Sequence, residues 1–120
     1  MGSPAFDFEG LKRAFEAGEP EGILEFYSPD LEHIEVDQDA PPTSQRTSGF
    51  EEIRRAFEGI AQAGMRLRID NQVIGEDRAA CTITVEFPDR RRLLSNTIFD
   101  LQDGKIVRQL DIQVTDPEGT

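Results

Sequence analysis

The apolar residues of this chain change their spacing once, near Gly64. Before this glycine they recur mostly at intervals of three or four residues, and after it they mostly alternate with polar residues. The first spacing is typical of helices with one buried face, and the second of strands with two different faces. Because helices come first and antiparallel strands follow, the sequence predicts an α+β fold in which helices pack on one face of a curved sheet.

Two helices are predicted before the first strand. The first runs from about Asp7 to Ala17, with Asp7 as its N-cap and Gly18 as its left-handed stop. The second begins at Pro20, which suits a first helical position, and closes at Tyr27. Both helices are predicted to pack on one face of the sheet that the later strands form.

The middle of the chain predicts a strand, a loop and a third helix. Leu31–Asp37 alternates and is predicted as a strand, whereas Gln38–Thr47 has little apolar content and contains two adjacent prolines, so it is predicted as a loop. Ser48 and Glu51 have the spacing of a capping box, and a helix is predicted from there to Gly64. Four hairpin-connected strands should follow, over about Leu67–Val73, Ala80–Phe87, Arg91–Leu101 and Lys105–Thr115.

Length and charge limit the possible partners. A chain of 120 residues is the size of one domain, and the ends at 1–5 and 116–120 are predicted to be flexible. A net charge of -11 disfavours nucleic acid and anionic membrane surfaces, and no run approaches the roughly 20 apolar residues of a membrane span. Cys81 and His33 are the only residues of their kinds, so no intrachain disulfide, metal site or cofactor is predicted. We expect a cytoplasmic protein.

Three segments of the chain form a recognisable set by their order and spacing: Gly22–Asp30, Ser48–Phe57 and Phe99–Val107. Together they resemble the nuclear transport factor 2-like superfamily, in its branch of SnoaL-like polyketide cyclases and ketosteroid isomerase. The resemblance implies a cone-shaped sheet wrapped around the helices, in the order α-α-β-α-β-β-β-β. It also implies a small-molecule pocket between sheet and helices, and frequent homodimers through the outer face of the sheet. It does not imply one activity, because this fold carries several.

Ketosteroid isomerase supplies a comparison for the catalytic residues. It uses a carboxylate base on the first strand and an oxyanion hole formed by a tyrosine and a protonated aspartate. By the resemblance, the base falls at Glu35, or at Asp37 if the strand shifts by two residues, and the oxyanion aspartate falls at Asn96. The tyrosine falls near Ala14, so steroid isomerisation by the same apparatus is not expected. The amide of Asn96 could still donate a hydrogen bond to an oxyanion.

The last strand can be oriented in two ways. Its apolar residues could face the pocket, which would leave Asp111 facing solvent or a partner; the resemblance instead places Gln109, Asp111 and Gln113 on the pocket face. On the first strand, His33, Glu35 and Asp37 are likewise either a solvated face or a pocket wall.

If the pocket orientation holds, these side chains suit acid–base chemistry. Glu35 or Asp37 would be the base, Asp111 the partner acid, and His33 could serve as either. Asn96 and Tyr27 would orient the ligand, although core packing is the alternative for Tyr27. The apolar walls are predicted to include Phe8, Phe15, Phe57, Ile83 and Phe87.

Three functions remain open from the sequence. The first is a cofactor-free isomerase, cyclase or dehydratase that acts on an apolar, cyclic or polyketide-like ligand. The second is a non-enzymatic ligand-binding or dimerisation module. The third, an epoxide hydrolase, requires Arg68 and Asp70 to face inward, but Leu67 and Ile69 compete for the interior, so we expect Arg68 and Asp70 outside.

Overall fold

A computed structural model describes residues 5–38 and 46–116. Its helices are α1 (Phe8–Ala17), α2 (Pro20–Leu24) and α3 (Phe50–Gln62). Its strands are β1 (Tyr27–Asp37), β2 (Arg46–Ser48), β3 (Arg66–Ile74), β4 (Arg78–Glu86), β5 (Arg92–Gln102) and β6 (Lys105–Asp116). Most of the predicted loop at Gln38–Thr47 and most of the predicted flexible ends lie outside the described residues.

The strands form one curved mixed sheet in the order β2-β1-β6-β5-β4-β3. Only β1 and β6 run parallel among these pairs, and each of the other neighbouring pairs is antiparallel. Helix α1 packs against β3, and α3 packs against β1. The predicted α+β cone, with its helices in the N-terminal half, is confirmed, and the first and last strands of the chain lie side by side at its centre.

The first helix is capped as its sequence predicts. The Oδ1 atom of Asp7 accepts a hydrogen bond from the Gly10 N–H at 2.9 Å. At the other end Gly18 has φ 71°, and its N–H donates to the carbonyl groups of Ala14 and Phe15. Both cap residues can be assigned from the sequence because each acts within one turn of the helix.

The predicted ends of the other two helices are wrong by a few residues. Helix α2 ends at Leu24, and Tyr27 begins β1 instead of closing the helix, because its backbone pairs with Ile106 of β6. Helix α3 has Gly49 as its N-cap, and Glu52 Oε2 accepts from the Gly49 N–H at 3.0 Å. Ser48, the predicted cap, is the last residue of β2 instead.

The predicted loop is also too long, because Arg46–Ser48 forms strand β2. These residues pair antiparallel with β1, in a register that places His33 opposite Ser48. A strand of three residues carries too few side chains for an alternation to be read in the sequence. Through this pairing β2 becomes the edge strand of the sheet, next to β1.

Strand β3 alternates as predicted only as far as Ile69. The register with β4 shifts between Asp70 and Val73, and Asn71 has φ 59°. Such a bulge redirects the residues that follow it. Val73 is therefore 69% exposed, although the alternation predicts it on the buried face.

None of the helices in residues 5–38 and 46–116 has the length and hydrophobicity needed to span a membrane.

Candidate active site

A cavity of about 300 Å³ lies between the inner face of the sheet and the helices. Its apolar lining is Phe15, Ile53, Ala56, Phe57, Ile60, Met65, Leu67, Ile83, Val85, Phe87 and Leu93. Its polar lining comes from three adjacent strands and consists of His33, Glu35, Ser95, Gln109, Asp111 and Gln113. The cavity has room for roughly ten water molecules, and its mostly apolar wall with a few polar groups is typical of small-ligand sites.

The polar residues of β6 face inward, which decides between the two orientations left open by the sequence. Gln109 and Asp111 are 3% and 7% exposed, whereas Ile112 on the opposite face is 52% exposed. Because β6 lies between β1 and β5, Asp111 faces residues of both neighbours. The centre of the sheet therefore brings together side chains that are far apart in the chain.

Four side chains place hydrogen-bond donors around the carboxylate of Asp111. Its Oδ1 atom accepts from Thr97 Oγ1 at 2.6 Å, from Ser95 Oγ at 3.2 Å and from Gln109 Nε2 at 3.1 Å. Its Oδ2 atom lies 2.6 Å from His33 Nε2 and 3.0 Å from Gln109 Nε2. Asp111 is the acceptor in its contacts with Thr97, Ser95 and Gln109, whereas the direction of its contact with His33 depends on the tautomer of the ring.

The contact with Asp111 couples the tautomer of His33 to the proton on Asp111. When the carboxylate is the acceptor, Nε2 is the donor, and a neutral ring then has its lone pair on Nδ1. Nδ1 lies 3.8 Å from Glu35 Oε1, and Glu35 Oε2 accepts from Gln113 Nε2 at 3.1 Å. The His33 ring thus lies between two carboxylates on the cavity wall.

Tyr27 supports the site from behind and does not line the cavity. Its hydroxyl donates to Gln109 Oε1 at 2.6 Å, which turns the amide NH₂ of Gln109 toward Asp111. Burial and, after it, the negative charge of Asp111 raise the pKa of Tyr27 well above its ordinary value. The phenol stays protonated as a donor, so Tyr27 fits the core-packing alternative and not the role of a ligand-orienting residue.

Asn96 and Asp37 are not among the residues that line this cavity. Asn96 is exposed on the outer face, because Ser95 and Thr97 occupy the inward positions of β5. The structure therefore gives no support to the prediction that Asn96 contacts a ligand in this cavity. Asp37 is half-buried at the end of β1, opposite Gln113 in the register with β6, and its role as the base stays a prediction.

Sequence reasoning missed Ser95 and Thr97, although the pattern of β5 contained a signal for them. Leu93 and Phe99 are apolar and six positions apart, so they share a face with every second residue between them. Ser95 and Thr97 are those residues, and they are 3% and 1% exposed.

The apolar predictions agree better with the structure. Phe15, Phe57, Ile83 and Phe87 all line the cavity, whereas Phe8 packs in the core behind it. Cys81 is buried, and burial, followed by the charge of Asp111, raises its pKa to about 12, as suits a core residue and not a nucleophile.

Arg68 and Asp70 lie outside, as the competing apolar residues predict. They form an ion pair at 2.7 Å with side chains that are 62% and 44% exposed. The inward orientation that an epoxide hydrolase of the expected type requires is not present.

Within the described ranges, no three histidine, cysteine or acidic side chains are grouped so that they could hold a metal ion.

Comparison with known proteins identifies the fold. Residues 8–109 match the model of the SnoaL-like domain family. A proposed ketosteroid isomerase from Kribbella flavida has a TM-score of 0.68 at 14% identity, with 88% of this chain and 73% of that chain covered. IdmH, a proposed polyketide cyclase from Streptomyces antibioticus, has a TM-score of 0.67 at 18% identity, with 88% of both chains covered.

A further similar structure is SalBIII, an epoxide hydrolase/cyclase-like enzyme in pyran ring formation in polyether salinomycin. Its TM-score is 0.62 at 20% identity, over 88% of this chain and 86% of that chain. Sequence comparison with curated proteins gives no significant match. The resemblance inferred from three short segments is confirmed: the chain belongs to the SnoaL-like domain family, within the nuclear transport factor 2-like superfamily.

Proposed function

We propose that this protein is a cofactor-free acid–base enzyme, an isomerase, cyclase or dehydratase, that acts on an apolar cyclic or polyketide-like ligand. The observation that carries the proposal is the contact of 2.6 Å between His33 Nε2 and Asp111 Oδ2 on the wall of an apolar cavity. A histidine oriented by a buried carboxylate is a common general base. The names of the similar isomerase and cyclase structures support the same class of chemistry.

In this proposal His33 Nδ1 removes a proton from a carbon beside a ligand carbonyl and later returns it. Asp111 keeps the proton on Nε2 and stabilises the imidazolium that forms, so it acts on the histidine and not on the ligand. One N–H of the Gln113 amide donates to Glu35, and its second N–H can donate to the developing oxyanion. Gln113 thereby takes the role that the sequence suggested for Asn96.

Deuterium exchange tests this chemistry on any ligand that has a C–H group beside a carbonyl. A panel of cyclic ketones and β-diketones is incubated in D₂O with the protein, and deuterium incorporation is measured by mass spectrometry. We expect exchange at the carbon beside the carbonyl, and a loss of about 10²–10⁴-fold in His33→Gln and Asp111→Asn. Asn96→Ala on the outer face is the matched control and should keep the wild-type rate.

The same panel separates the enzyme from a non-enzymatic binding module. Binding of each compound is followed by saturation-transfer NMR. Compounds that bind in the cavity but show no exchange above the buffer rate would exclude proton abstraction and favour the binding module.

We also propose that the protein forms a homodimer through the outer face of the sheet. Ile112 and Val114 are 52% and 49% exposed there, and the register places them beside Asn96 and Leu94 of β5. Exposed apolar side chains that adjoin on one sheet face are typical of an interface.

Light scattering tests the dimer. We expect a dimer that Ile112→Glu dissociates, whereas Val73→Glu, at an exposed apolar residue beyond the β3 bulge, should leave it intact. A monomer at high micromolar concentration would contradict the proposal. The expected lack of nucleic-acid binding and the cytoplasmic location stay predictions, which gel-shift and fractionation experiments would check.

A further inference from the structure

The lining of the cavity changes from polar to apolar along the strands. Gln113 of β6 lies opposite Ser95 of β5 in the register, and both belong to the polar lining. Further along β5, Leu93 lies opposite Val85 of β4, and both belong to the apolar lining. Phe87 comes next on the same side of β4, where the connection to β5 begins. The cavity therefore has a polar end at the centre of the sheet and an apolar end at the β4–β5 hairpin.

The length and the volume of the cavity fit a ligand with two fused rings. Thr97, which donates to Asp111, and Leu93 are four residues apart on β5, a distance of about 13 Å along the strand. The volume of about 300 Å³ holds roughly ten water molecules, which is about the space of two fused six-membered rings with one oxygen. A ligand with its carbonyl group beside His33 would thus place its second ring at the hairpin end.

The hairpin holds the Phe87 ring in a defined position. The Phe87 N–H donates to the Arg91 carbonyl at 2.8 Å, and the Arg90 N–H donates to the Phe87 carbonyl at 3.0 Å. The Arg91 guanidinium lies over the Phe87 ring, 4.8 Å from its centre, and the Arg91 Nε donates to Asp89 Oδ2 at 2.8 Å. A ring that is already fixed in this way loses little freedom when a ligand packs against it.

The apolar end of the cavity also reaches the molecular surface. The lining residues there are half-buried, whereas Ser95 at the polar end is buried; they are Ile60, Met65, Phe87 and Leu93. Helix α3 approaches the hairpin at this point, since the Met65 N–H donates to the Ile60 carbonyl at 3.1 Å just before β3 begins. A ligand that extends beyond these side chains would enter water, and its additional surface would gain little from burial.

We propose that Phe87 forms a subsite for the second ring of a two-ring ketone and thereby sets the preferred size of the ligand. The proposal rests on the ligand-binding part of the proposed function and not on its chemical step. The second ring packs against Phe87 and Leu93, and it gains free energy from the burial of apolar surface and from contact with the aromatic ring. One ring alone leaves this subsite empty, and a third ring extends past it.

Three cyclic ketones that differ in the number of fused rings test the size preference. They are cyclohexanone, 1-tetralone and 1,2,3,4-tetrahydrophenanthren-1-one, and their dissociation constants are measured by calorimetric or NMR titration. We expect 1-tetralone to bind at least about tenfold more tightly than cyclohexanone, and the three-ring ketone to bind within about threefold of 1-tetralone. Non-specific hydrophobic binding would instead strengthen with every added ring.

Substitution of Phe87 tests the residue itself. Phe87→Ala should weaken the binding of 1-tetralone about tenfold and leave that of cyclohexanone within about twofold, which also shows that the variant is folded. Phe87→Leu keeps an apolar side chain and should lose less than Phe87→Ala. Phe50→Ala is the matched control and should change neither affinity, because Phe50 is also half-buried with an arginine, Arg54, 5.3 Å from its ring centre, but does not line the cavity.

Four results would overturn the proposal: equal losses for the one-ring and two-ring ketones in Phe87→Ala, no loss in that variant, a further gain of about tenfold from the third ring, or no binding of any ketone. The size preference can hold while the deuterium-exchange test fails, in which case only the enzymatic function falls. Exchange without an effect of Phe87→Ala on the size preference would overturn the subsite and leave the enzymatic function standing.

Discussion

Thr97 and Tyr27 hold the polar wall in place from positions behind it. Thr97 donates to Asp111 at 2.6 Å, and Tyr27 donates to Gln109 at 2.6 Å. Gln109 and Asp111 are in turn bonded to each other, so the position of the His33 ring depends on a chain of buried contacts. Each donor in this chain is matched with an acceptor, as a buried polar network requires.

Replacement of Thr97 by valine removes one donor with little change of shape. We expect Thr97→Val to lower the free energy of unfolding by about 1–3 kcal/mol, because Asp111 stays buried with one partner fewer. Since His33 is the only histidine, its ¹⁵N signals report the ring alone, and they should shift toward a mixture of tautomers. Urea unfolding and NMR measure the two effects.

Thr82→Val on the outer side of β4 is the control for this experiment. Thr82 Oγ1 contacts Asn71 and Asn96 at 3.3 and 3.5 Å, so its loss should cost little and should leave the His33 signals unchanged. Unchanged His33 signals in Thr97→Val would show that Thr97 does not position the ring.

The sequence contained most of the polar site but not the hydrogen bonds within it. Alternation places Gln109, Asp111 and Gln113 on one face, and the resemblance turns that face inward. Asn96 lies on the opposite face from the cavity, because a shift of one residue in matching a strand moves a side chain across the sheet. The contacts among Tyr27, Gln109 and Asp111 depend on the pairing of β1 with β6, which local sequence does not encode.

At the level of elements, features that act within one turn were predictable and features that depend on pairing were not. The Asp7 and Gly18 caps follow from local sequence. Strand β2 and the early end of α2 follow from pairing with β1 and β6. The bulge at Asn71 is also a property of the pair β3–β4, and an asparagine, which tolerates a positive φ, occupies it.

The Asp7 cap can be tested at the element it stabilises. Asp7→Ala leaves the Gly10 N–H without its acceptor, so we expect a loss of about 1 kcal/mol in the free energy of unfolding. Asp7→Asn keeps an acceptor of the same shape and should restore most of that loss. Urea unfolding followed by circular dichroism measures both, and equal stability of Asp7→Ala and wild type would exclude a capping role.

For the whole molecule, the acidic excess consists of two populations. Many acids are at the surface, and several pair with arginines there, in Arg54–Glu51, Arg68–Asp70, Arg78–Asp100, Arg91–Asp89, Arg92–Asp116 and Arg108–Glu32. Ion pairs at the surface contribute little to stability, because water and salt screen them. Asp111 and Glu35 differ because they line the cavity, so the charge that bears on function is a small part of the total.

The negative charge of Asp111 also affects how the whole molecule responds to alkali. Burial, and after it this charge, raises the pKa of Cys81 from its ordinary value of 9.0 to about 12. Unfolding exposes the thiol to water, so above its ordinary pKa the unfolded chain binds one proton fewer than the folded chain. The contribution of Cys81 to stability is therefore complete below that value and is lost as the pH rises toward 12.

Comparison of wild type with Cys81→Ala isolates this contribution, because groups that do not interact with the thiol titrate equally in both proteins. We expect the difference in free energy of unfolding to decrease by up to about 1.4 kcal/mol per pH unit above the ordinary pKa of the thiol. Tyr27→Phe should leave that decrease in place. The ordinary pKa of Tyr27 is 10.0, so the loss of stability that its raised pKa causes begins at a higher pH than the loss caused by Cys81. Urea unfolding at a series of alkaline pH values gives the curves. Parallel curves for wild type and Cys81→Ala would mean that the thiol is not held protonated in the fold.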